Sequence, residues 1–304
     1  MIQTNGITKE FDGFVALNNV TCSIPSGCIY GMVGSNGAGK STFLRWITGV
    51  YKPERGTVLF DEEPIWENPS VKNRISFVPD DLYFLPGADL NRMKQMYKSV
   101  YPKFDDERFN YLVNTFGLNP KKNLGTFSKG MRRQSAILLA LSCHPEYMFF
   151  DETFDGLDPV MRNLVKGLIC HDVIETNATA IITSHSLREL EDLCDQLALL
   201  HEGGLVLQSD VQDLKTSLFK IQVAFSTPFD YSILQDVDVK QHVQSGSVYN
   251  FVIHGNKEEI VERFKSVNPL LIDIVPLSLE EVFTHEMSAL GYNFNDVLGK
   301  EAAK

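Results

Sequence analysis

Apolar and polar positions alternate in a pattern that changes at two points along the chain. Residues 28–33 (CIYGMV) form the first continuous apolar run and predict a buried strand. A glycine-rich turn follows, and residues 40–48 predict a helix that ends at Gly49. Apolar runs at 147–150 and 178–183 predict two further buried strands.

A helix is predicted over residues 160–174, between the last two of these strands. Strand, helix and strand in this order indicate a parallel crossover. Up to about residue 213, the pattern therefore predicts an α/β domain with a mostly parallel sheet.

Strand signals disappear between about residues 87 and 145. Helical periodicity replaces them over 89–100, 105–116 and 128–142, which predicts a mostly helical insertion.

After about residue 215 the pattern changes again. Strands are predicted at 218–225, 248–254 and 270–275, with a helix over 257–264. We therefore expect a small α+β domain over 216–290 and a tail over 291–304.

Composition narrows the function classes. The chain has 304 residues, 43% of them hydrophobic, and a net charge of −11. Nucleic acid is therefore not expected as a partner, since phosphodiester backbones attract basic surfaces. The five cysteines show no metal-ligand spacing, which favours a reducing compartment without structural zinc.

Neither an export signal nor a membrane-spanning segment is recognisable in the sequence. The first residues, MIQTNGITKEFDG, lack a basic start and an apolar stretch, and no window approaches the roughly 18 apolar residues of a spanning helix. Any membrane role is therefore expected to depend on a partner chain.

Residues 34–41 (GSNGAGKS) fit the GxxxxGK[ST] phosphate-binding pattern between a predicted strand and a predicted helix. Glycines allow backbone N–H groups to approach phosphate oxygens, and the helix N-terminus adds positive charge. Lys40 is expected to reach the β- and γ-phosphates, and the Ser41 hydroxyl to bind Mg²⁺. An ordinary glycine-rich turn is the alternative, which the strand–turn–helix context disfavours.

A second motif follows the strand at 147–150. Asp151 and Glu152 stand where ligands collect in open α/β sheets. Asp151 suits Mg²⁺ binding, and Glu152 suits activation of the attacking water. Alone, such a pair is usually a solvated turn, but the phosphate-binding pattern favours the site.

In order and spacing, these motifs resemble those of ABC-type ATPases over roughly residues 1–210. Residues 127–131 (FSKGM) resemble the family's signature motif, 155–158 (DGLD) its D-loop, and 183–185 (TSH) its switch histidine. Phe11 stands where the family places an aromatic ring against adenine. Each has an ordinary alternative, such as a helix N-cap or a core ring, but the ordered set favours the family.

The resemblance implies an ABC ATPase fold with a mostly parallel core sheet, an antiparallel β subdomain and a helical insertion. It also implies a head-to-tail dimer, of two copies or of a copy and a paralogue, with two ATP at the interface. The implied nucleotide contacts are Phe11, Val15, Ser35, Asn36, Gly37, Ala38, Gly39, Lys40, Ser41, Thr42, Ser128, Gly130 and Asp158. The implied catalytic residues are Glu152, His185 and Lys40, and the implied metal-binding residues are Ser41, Asp151 and Asp80.

The sequence departs from the family pattern at two positions. Asp80 replaces the Gln that begins the loop toward the membrane subunit, which leaves its role in Mg²⁺ or water binding open. Thr153 replaces the Pro that commonly follows the catalytic Glu.

Residues 278–283 (SLEEVF) resemble the ending of ATP-binding subunits of ABC-2-type exporters, and the SKGM signature agrees. We therefore expect an export motor on the cytoplasmic side of the cell membrane, bound to an integral membrane permease. A soluble ABC ATPase that acts on ribosomes or DNA is the alternative. It would need paired cassettes or a heptad-rich insertion, and neither is present.

Overall fold

The computed structural model describes residues 1–226, 229–289 and 291–292. Within them the chain divides into two compact units, one of residues Met1–Gln208 and one that begins at Ser209. Of the expected tail, residues 293–304 lie outside the described residues.

Up to residue 210, an N-terminal hairpin is followed by alternating strands and helices. The strands are β1 (Ile2–Phe11), β2 (Phe14–Ile24), β3 (Ile29–Val33), β4 (Arg55–Phe60), β5 (Glu63–Pro64), β6 (Ile75–Val78), β7 (Tyr147–Asp151), β8 (Thr179–Ser184), β9 (Gln196–His201) and β10 (Gly204–Asp210). The helices are α1 (Lys40–Ile47), α2 (Pro69–Lys72), α3 (Leu90–Val100), α4 (Asp106–Thr115), α5 (Lys129–Leu141), α6 (Pro159–Thr176) and α7 (Leu187–Leu190).

The central sheet has the order β10-β9-β3-β8-β7-β6. Its five strands from β9 to β6 are parallel, which confirms the predicted core sheet. Every residue of β3, β7 and β8 is buried, as expected of strands covered on both faces. The carboxyl ends of these three strands carry the predicted chemistry.

An antiparallel sheet of order β2-β1-β4-β5 forms the subdomain that the resemblance implied. Its apolar side chains share one core with α1 and the central sheet; Leu17, Phe43, Phe60 and Phe149 are all fully buried there. This shared core holds the β1–β2 hairpin close to the start of α1.

Between β6 and β7 the chain forms only helices, which confirms the predicted helical insertion. A polar side chain caps the start of each of the three longer helices. Asp89, Asp105 and Ser128 accept hydrogen bonds from backbone N–H groups of the first turns of α3, α4 and α5.

The second unit contains α8 (Val211–Ser217), β11 (Leu218–Ala224), β12 (Asp238–Ser245), β13 (Val248–His254), α9 (Lys257–Ser266), β14 (Leu271–Val275) and α10 (Leu279–Ala289). The strands form an antiparallel sheet of order β12-β13-β11-β14. Ser278 and Glu281 exchange hydrogen bonds at the start of α10, so the SLEEVF segment is a capping box that begins a helix. Its Leu279, Val282 and Phe283 are fully buried.

Candidate functional site

The phosphate-binding pattern lies between β3 and α1, as predicted. Glycine is required at two positions of its loop. A Cβ at Gly34 would lie 2.3 Å from the carbonyl oxygen of Leu200, and one at Gly39 would lie 2.6 Å from that of Ala16. Gly39 also has a φ of 106°, a conformation that residues with side chains rarely adopt. The loop therefore packs directly against the backbone at Leu200 and Ala16, next to the N-terminal amides of α1, which can bind an anion.

Lys40 extends back over this loop and is almost fully buried. Its ammonium donates to the carbonyl oxygens of Gly34 and Ser35, at 2.7 and 3.1 Å. It also lies 3.1 Å from Oε1 of Glu152. The positive charge is thus held next to the loop amides.

Asp151, the last residue of β7, is completely buried. Its Oδ1 accepts from the hydroxyls of Ser41 (3.0 Å) and Thr183 (2.8 Å), and Oδ2 is buried without a hydrogen-bond partner. Burial raises the pKa of Asp151 above its ordinary value; the two hydroxyls oppose this rise, and the charge of Glu152 adds to it. A serine hydroxyl beside a carboxylate with one unpaired buried oxygen is a donor set that fits Mg²⁺.

Glu152 follows at the end of the strand with a φ of 46°, in the left-handed region. Its backbone N–H donates to the hydroxyl of Thr183 at 3.1 Å, which stabilises this turn. Its Oε2 lies 3.0 Å from Nδ1 of His185, while its Oε1 faces Lys40. One carboxylate therefore joins the phosphate loop to the predicted switch histidine.

A cavity of about 320 Å³ opens in front of these groups. It is lined by Phe11, Phe14, Ala16, Asn36, Gly37, Gly39, Lys40, Ser41, Thr42, Asp80 and Glu152. The structure thus gathers most of the predicted contact residues around one space. Val15 is exposed and does not line this cavity, and neither do Ser35 and Ala38 of the phosphate loop.

Phe14 lines the same cavity, although it was not predicted. It is the direct cross-strand partner of Phe11 across the β1–β2 hairpin. Asp12 and Gly13 form the turn, both with positive φ. An Asp-Gly pair of this kind is a hairpin signal that would have placed the two rings side by side.

Three other predicted contacts lie outside this cavity. Ser128 accepts from Met131 N–H and caps α5, and Asp158 accepts from two N–H groups at the start of α6. A Cβ at Gly130 would lie 2.8 Å from the carbonyl oxygen of Gly156, so α5 packs closely on the loop before α6. Their contacts with nucleotide stay predictions.

Comparisons with known proteins agree with this geometry. Residues 17–155 match the sequence model of the ABC transporter family. The chain is 31% identical over 283 residues to the ABC transporter ATP-binding protein YtrB of Bacillus subtilis, which covers 93% of this chain and 97% of YtrB. It is 30% identical over 224 residues to the daunorubicin/doxorubicin resistance ATP-binding protein DrrA of Streptomyces peucetius, covering 71% of this chain and 67% of DrrA.

Among solved structures, the fold matches the ATP-binding cassette MJ0796 in a dimeric post-hydrolysis state bound to ADP and Pi. The TM-score is 0.63 at 20% identity, over 69% of this chain and 99% of that one. Fold and site thus define an ATP-hydrolysing cassette. The chain belongs to the family of ABC transporter ATP-binding proteins. No helix among the described residues is long and apolar enough to cross a membrane.

Proposed function

We propose that this ATPase drives export through a separate membrane subunit, and that it works as a dimer around two ATP molecules. The observation that supports the proposal is the chain of contacts Ser41–Asp151 and Lys40–Glu152–His185 around one cavity. These contacts supply phosphate binding, a metal-binding carboxylate and a base to one substrate.

The hydrolytic step follows from these groups. Lys40 and the loop amides hold the β- and γ-phosphate oxygens, while the Glu152 carboxylate takes the proton of the attacking water. A bond forms between the water oxygen and the γ-phosphorus, and the bond to the β–γ bridging oxygen breaks, leaving ADP and phosphate. His185 keeps Glu152 oriented through the 3.0 Å contact.

Mg²⁺ is the metal that these residues fit. Ser41 and Asp151 would hold it, with Asp80 as a third candidate. When bound, it neutralises negative charge on the phosphates. The buried Oδ2 of Asp151, which has no hydrogen-bond partner, would be an acceptor available to such an ion or to its water.

The dimer is proposed because the α5 N-terminus lies outside its own chain's nucleotide cavity. Ser128 and the N–H groups near Gly130 form an electropositive helix start suited to a γ-phosphate. In a head-to-tail dimer, this helix start would meet the ATP held by the partner. The dimeric MJ0796 cassette has the same fold, which supports this arrangement.

Export is proposed from the SKGM signature, from the SLEEVF ending and from the resistance function in the name of DrrA. A cytoplasmic position against the membrane follows if the membrane subunit is the partner.

The test is affinity purification of the tagged chain from detergent-solubilised membranes, followed by reconstitution with the integral protein that co-purifies. We expect that protein to stimulate the ATPase activity of the chain in liposomes. Co-sedimentation with ribosomes, without such a membrane protein, would support the alternative.

A further inference from the structure

Asp80, one of the two residues that depart from the family pattern, lines two cavities. One is the nucleotide cavity described above. The other, of about 240 Å³, is lined by Asp80, Asp81, Leu82, Phe127, Lys129, Arg132 and Arg133. Asp80 therefore adjoins both the phosphate loop and the first turns of α5.

Arg133 of α5 lines the second cavity and donates hydrogen bonds to Asp80 and to the residue before it. Its Nη1 donates to the carbonyl oxygens of Pro79 and Asp80, at 3.0 and 3.2 Å. Its Nη2 donates to the Asp80 carboxylate at 2.8 Å. One guanidinium thus fixes both the backbone and the side chain of the segment after β6.

The two partners differ in exposure. The Arg133 side chain is 1% exposed, whereas that of Asp80 is 53% exposed. A guanidinium stays charged in proteins, so Arg133 needs acceptors wherever the carboxylate lies. The two carbonyl oxygens provide them. The Asp80 carboxylate can therefore exchange Arg133 for another partner, while the hydrogen bonds of Arg133 to the two carbonyl oxygens persist.

The nucleotide cavity lies on the other side of Asp80. The nucleotide cavity contains Ser41, whose hydroxyl is bonded to the buried Asp151. Asp80 lines the same cavity as Ser41, so its negative charge adds to that of Asp151 there. A divalent cation bound with ATP would turn this repulsion between two carboxylates into a shared attraction.

We propose that Arg133 is a positioning residue that holds the Asp80 carboxylate on α5 in the nucleotide-free chain, and that Mg²⁺-ATP competes with Arg133 for this carboxylate. Release of the carboxylate removes one contact between α5 and the segment after β6. Nucleotide binding in the cavity therefore changes how firmly α5, the helix that begins after Ser128, is held. The proposal rests on the nucleotide site proposed above.

The first test measures ATP binding at equilibrium, once with Mg²⁺ and once with EDTA. Arg133→Gln removes the competing charge, so Mg²⁺-ATP should bind about 2- to 5-fold more tightly, which corresponds to the usual strength of a partly exposed ion pair. Affinity for ATP in EDTA should stay unchanged. In an Asp80→Asn background, the effect of Arg133→Gln should disappear.

Arg132→Gln is the matched control. Arg132 lies on the same helix, lines the same cavity and donates to the carbonyl oxygen of Leu82, but it is not paired with Asp80. Equal effects of Arg132→Gln and Arg133→Gln would overturn the proposal, as would an effect of Arg133→Gln that persists with Asn at position 80. A wild-type chain that binds no ATP under either condition would instead refute the nucleotide site itself.

A second test needs no substitution of the buried Arg133. Hydrogen exchange of backbone amides over residues 129–133 is followed after addition of Mg²⁺ and a non-hydrolysable ATP analogue. We expect faster exchange in the wild-type chain and no change in Asp80→Asn, where the exchangeable charge is absent. Unchanged exchange in the wild-type chain, or the same increase in Asp80→Asn, would contradict the proposal.

Discussion

The ammonium of Lys40 lies 3.1 Å from Oε1 of Glu152. Their side chains are only 5% and 12% exposed, so each compensates a charge that is costly to bury alone. A triphosphate would offer Lys40 more strongly anionic partners than one carboxylate, so we expect it to compete with Glu152 for this ammonium.

The first prediction concerns adenine. The Lys9 ammonium lies 4.8 Å from the centroid of the Phe11 ring. The centroid of the Tyr51 ring lies 5.5 Å from that of Phe11 in an edge-on arrangement, so both neighbours fix the orientation of Phe11. Stacking on such a ring contributes about 0.5–1.5 kcal/mol beyond the buried area. We expect Phe11→Ala to weaken ATP binding about 2- to 10-fold with a smaller effect on turnover.

Phe14→Ala is the comparison, because Phe14 is 65% exposed and lines the same cavity. Equilibrium titration of both variants decides between the rings. A larger loss for Phe14→Ala would move the adenine platform to Phe14, and unchanged affinity in Phe11→Ala would remove Phe11 from the site.

The second prediction concerns Asp151. Because burial raises the pKa of this carboxyl, the folded chain holds its proton more tightly than the unfolded chain. The resulting stability is present below the ordinary Asp pKa of about 3.9 and is lost as the pH rises through the raised pKa. Asn at position 151 carries no charge, so the Asp151→Asn chain does not lose this stability as the pH rises. Without nucleotide, the variant should therefore melt at a higher temperature than the wild-type chain at neutral pH.

Mg²⁺-ATP should reverse this order, since a ligand that binds only the folded state stabilises it by RT ln(1 + [L]/Kd), which is larger for the chain that binds it more tightly. Melting curves from pH 4 to pH 8, with and without Mg²⁺-ATP, measure both effects. If Mg²⁺-ATP stabilised Asp151→Asn as much as the wild-type chain, Asp151 would not be a metal-binding residue.

The third prediction concerns the start of α5. Ser128→Arg places a bulky side chain where the γ-phosphate of the partner's ATP is proposed to approach. Each chain should still bind ATP, but hydrolysis should fall by roughly 10²-fold or more, as when a transition-state contact is lost. Ser128→Ala is the comparison, because it removes the hydroxyl and with it the N-cap, at a cost of about 1 kcal/mol, but leaves the helix start open to a phosphate. Normal hydrolysis by Ser128→Arg would refute the composite site.

Several parts of the fold were predictable because their apolar patterns are continuous. The buried strands β3, β7 and β8 and the capped helices of the insertion all have local signals. Strand β12 was missed because all but one of its eight residues are exposed, so no apolar alternation marks it. Helix α10 was treated as a family motif, although Ser278 and Glu281 are a capping box.

Within the candidate site, local sequence motifs indicate residues that are consecutive, but not the contacts between distant ones. Lys40, Ser41 and Glu152 belong to local motifs, whereas the contact of Arg133 with Asp80 joins residues 53 positions apart. No periodicity links such residues; only the packing of α5 against the segment after β6 brings them together. For the same reason, only the structure shows that the Thr183 hydroxyl is hydrogen-bonded both to the Asp151 carboxylate and to the backbone N–H of Glu152.

The central claim is that Glu152 hydrolyses ATP held between two chains. Glu152→Gln keeps the shape and hydrogen bonding of the side chain but removes the base, so hydrolysis should fall by roughly 10²–10⁴-fold. Lys40, Ser41 and the loop amides should still bind ATP, and the trapped nucleotide should keep two chains together. Lys40→Ala removes the phosphate contact and serves as the control.

Size-exclusion chromatography in the presence of ATP and Mg²⁺ is the most direct measurement. The account predicts a dimer for Glu152→Gln and mostly monomer for Lys40→Ala. An inactive Glu152→Gln chain that stays monomeric with ATP would contradict the dimer, and one that hydrolyses ATP at the normal rate would contradict the assignment of the base.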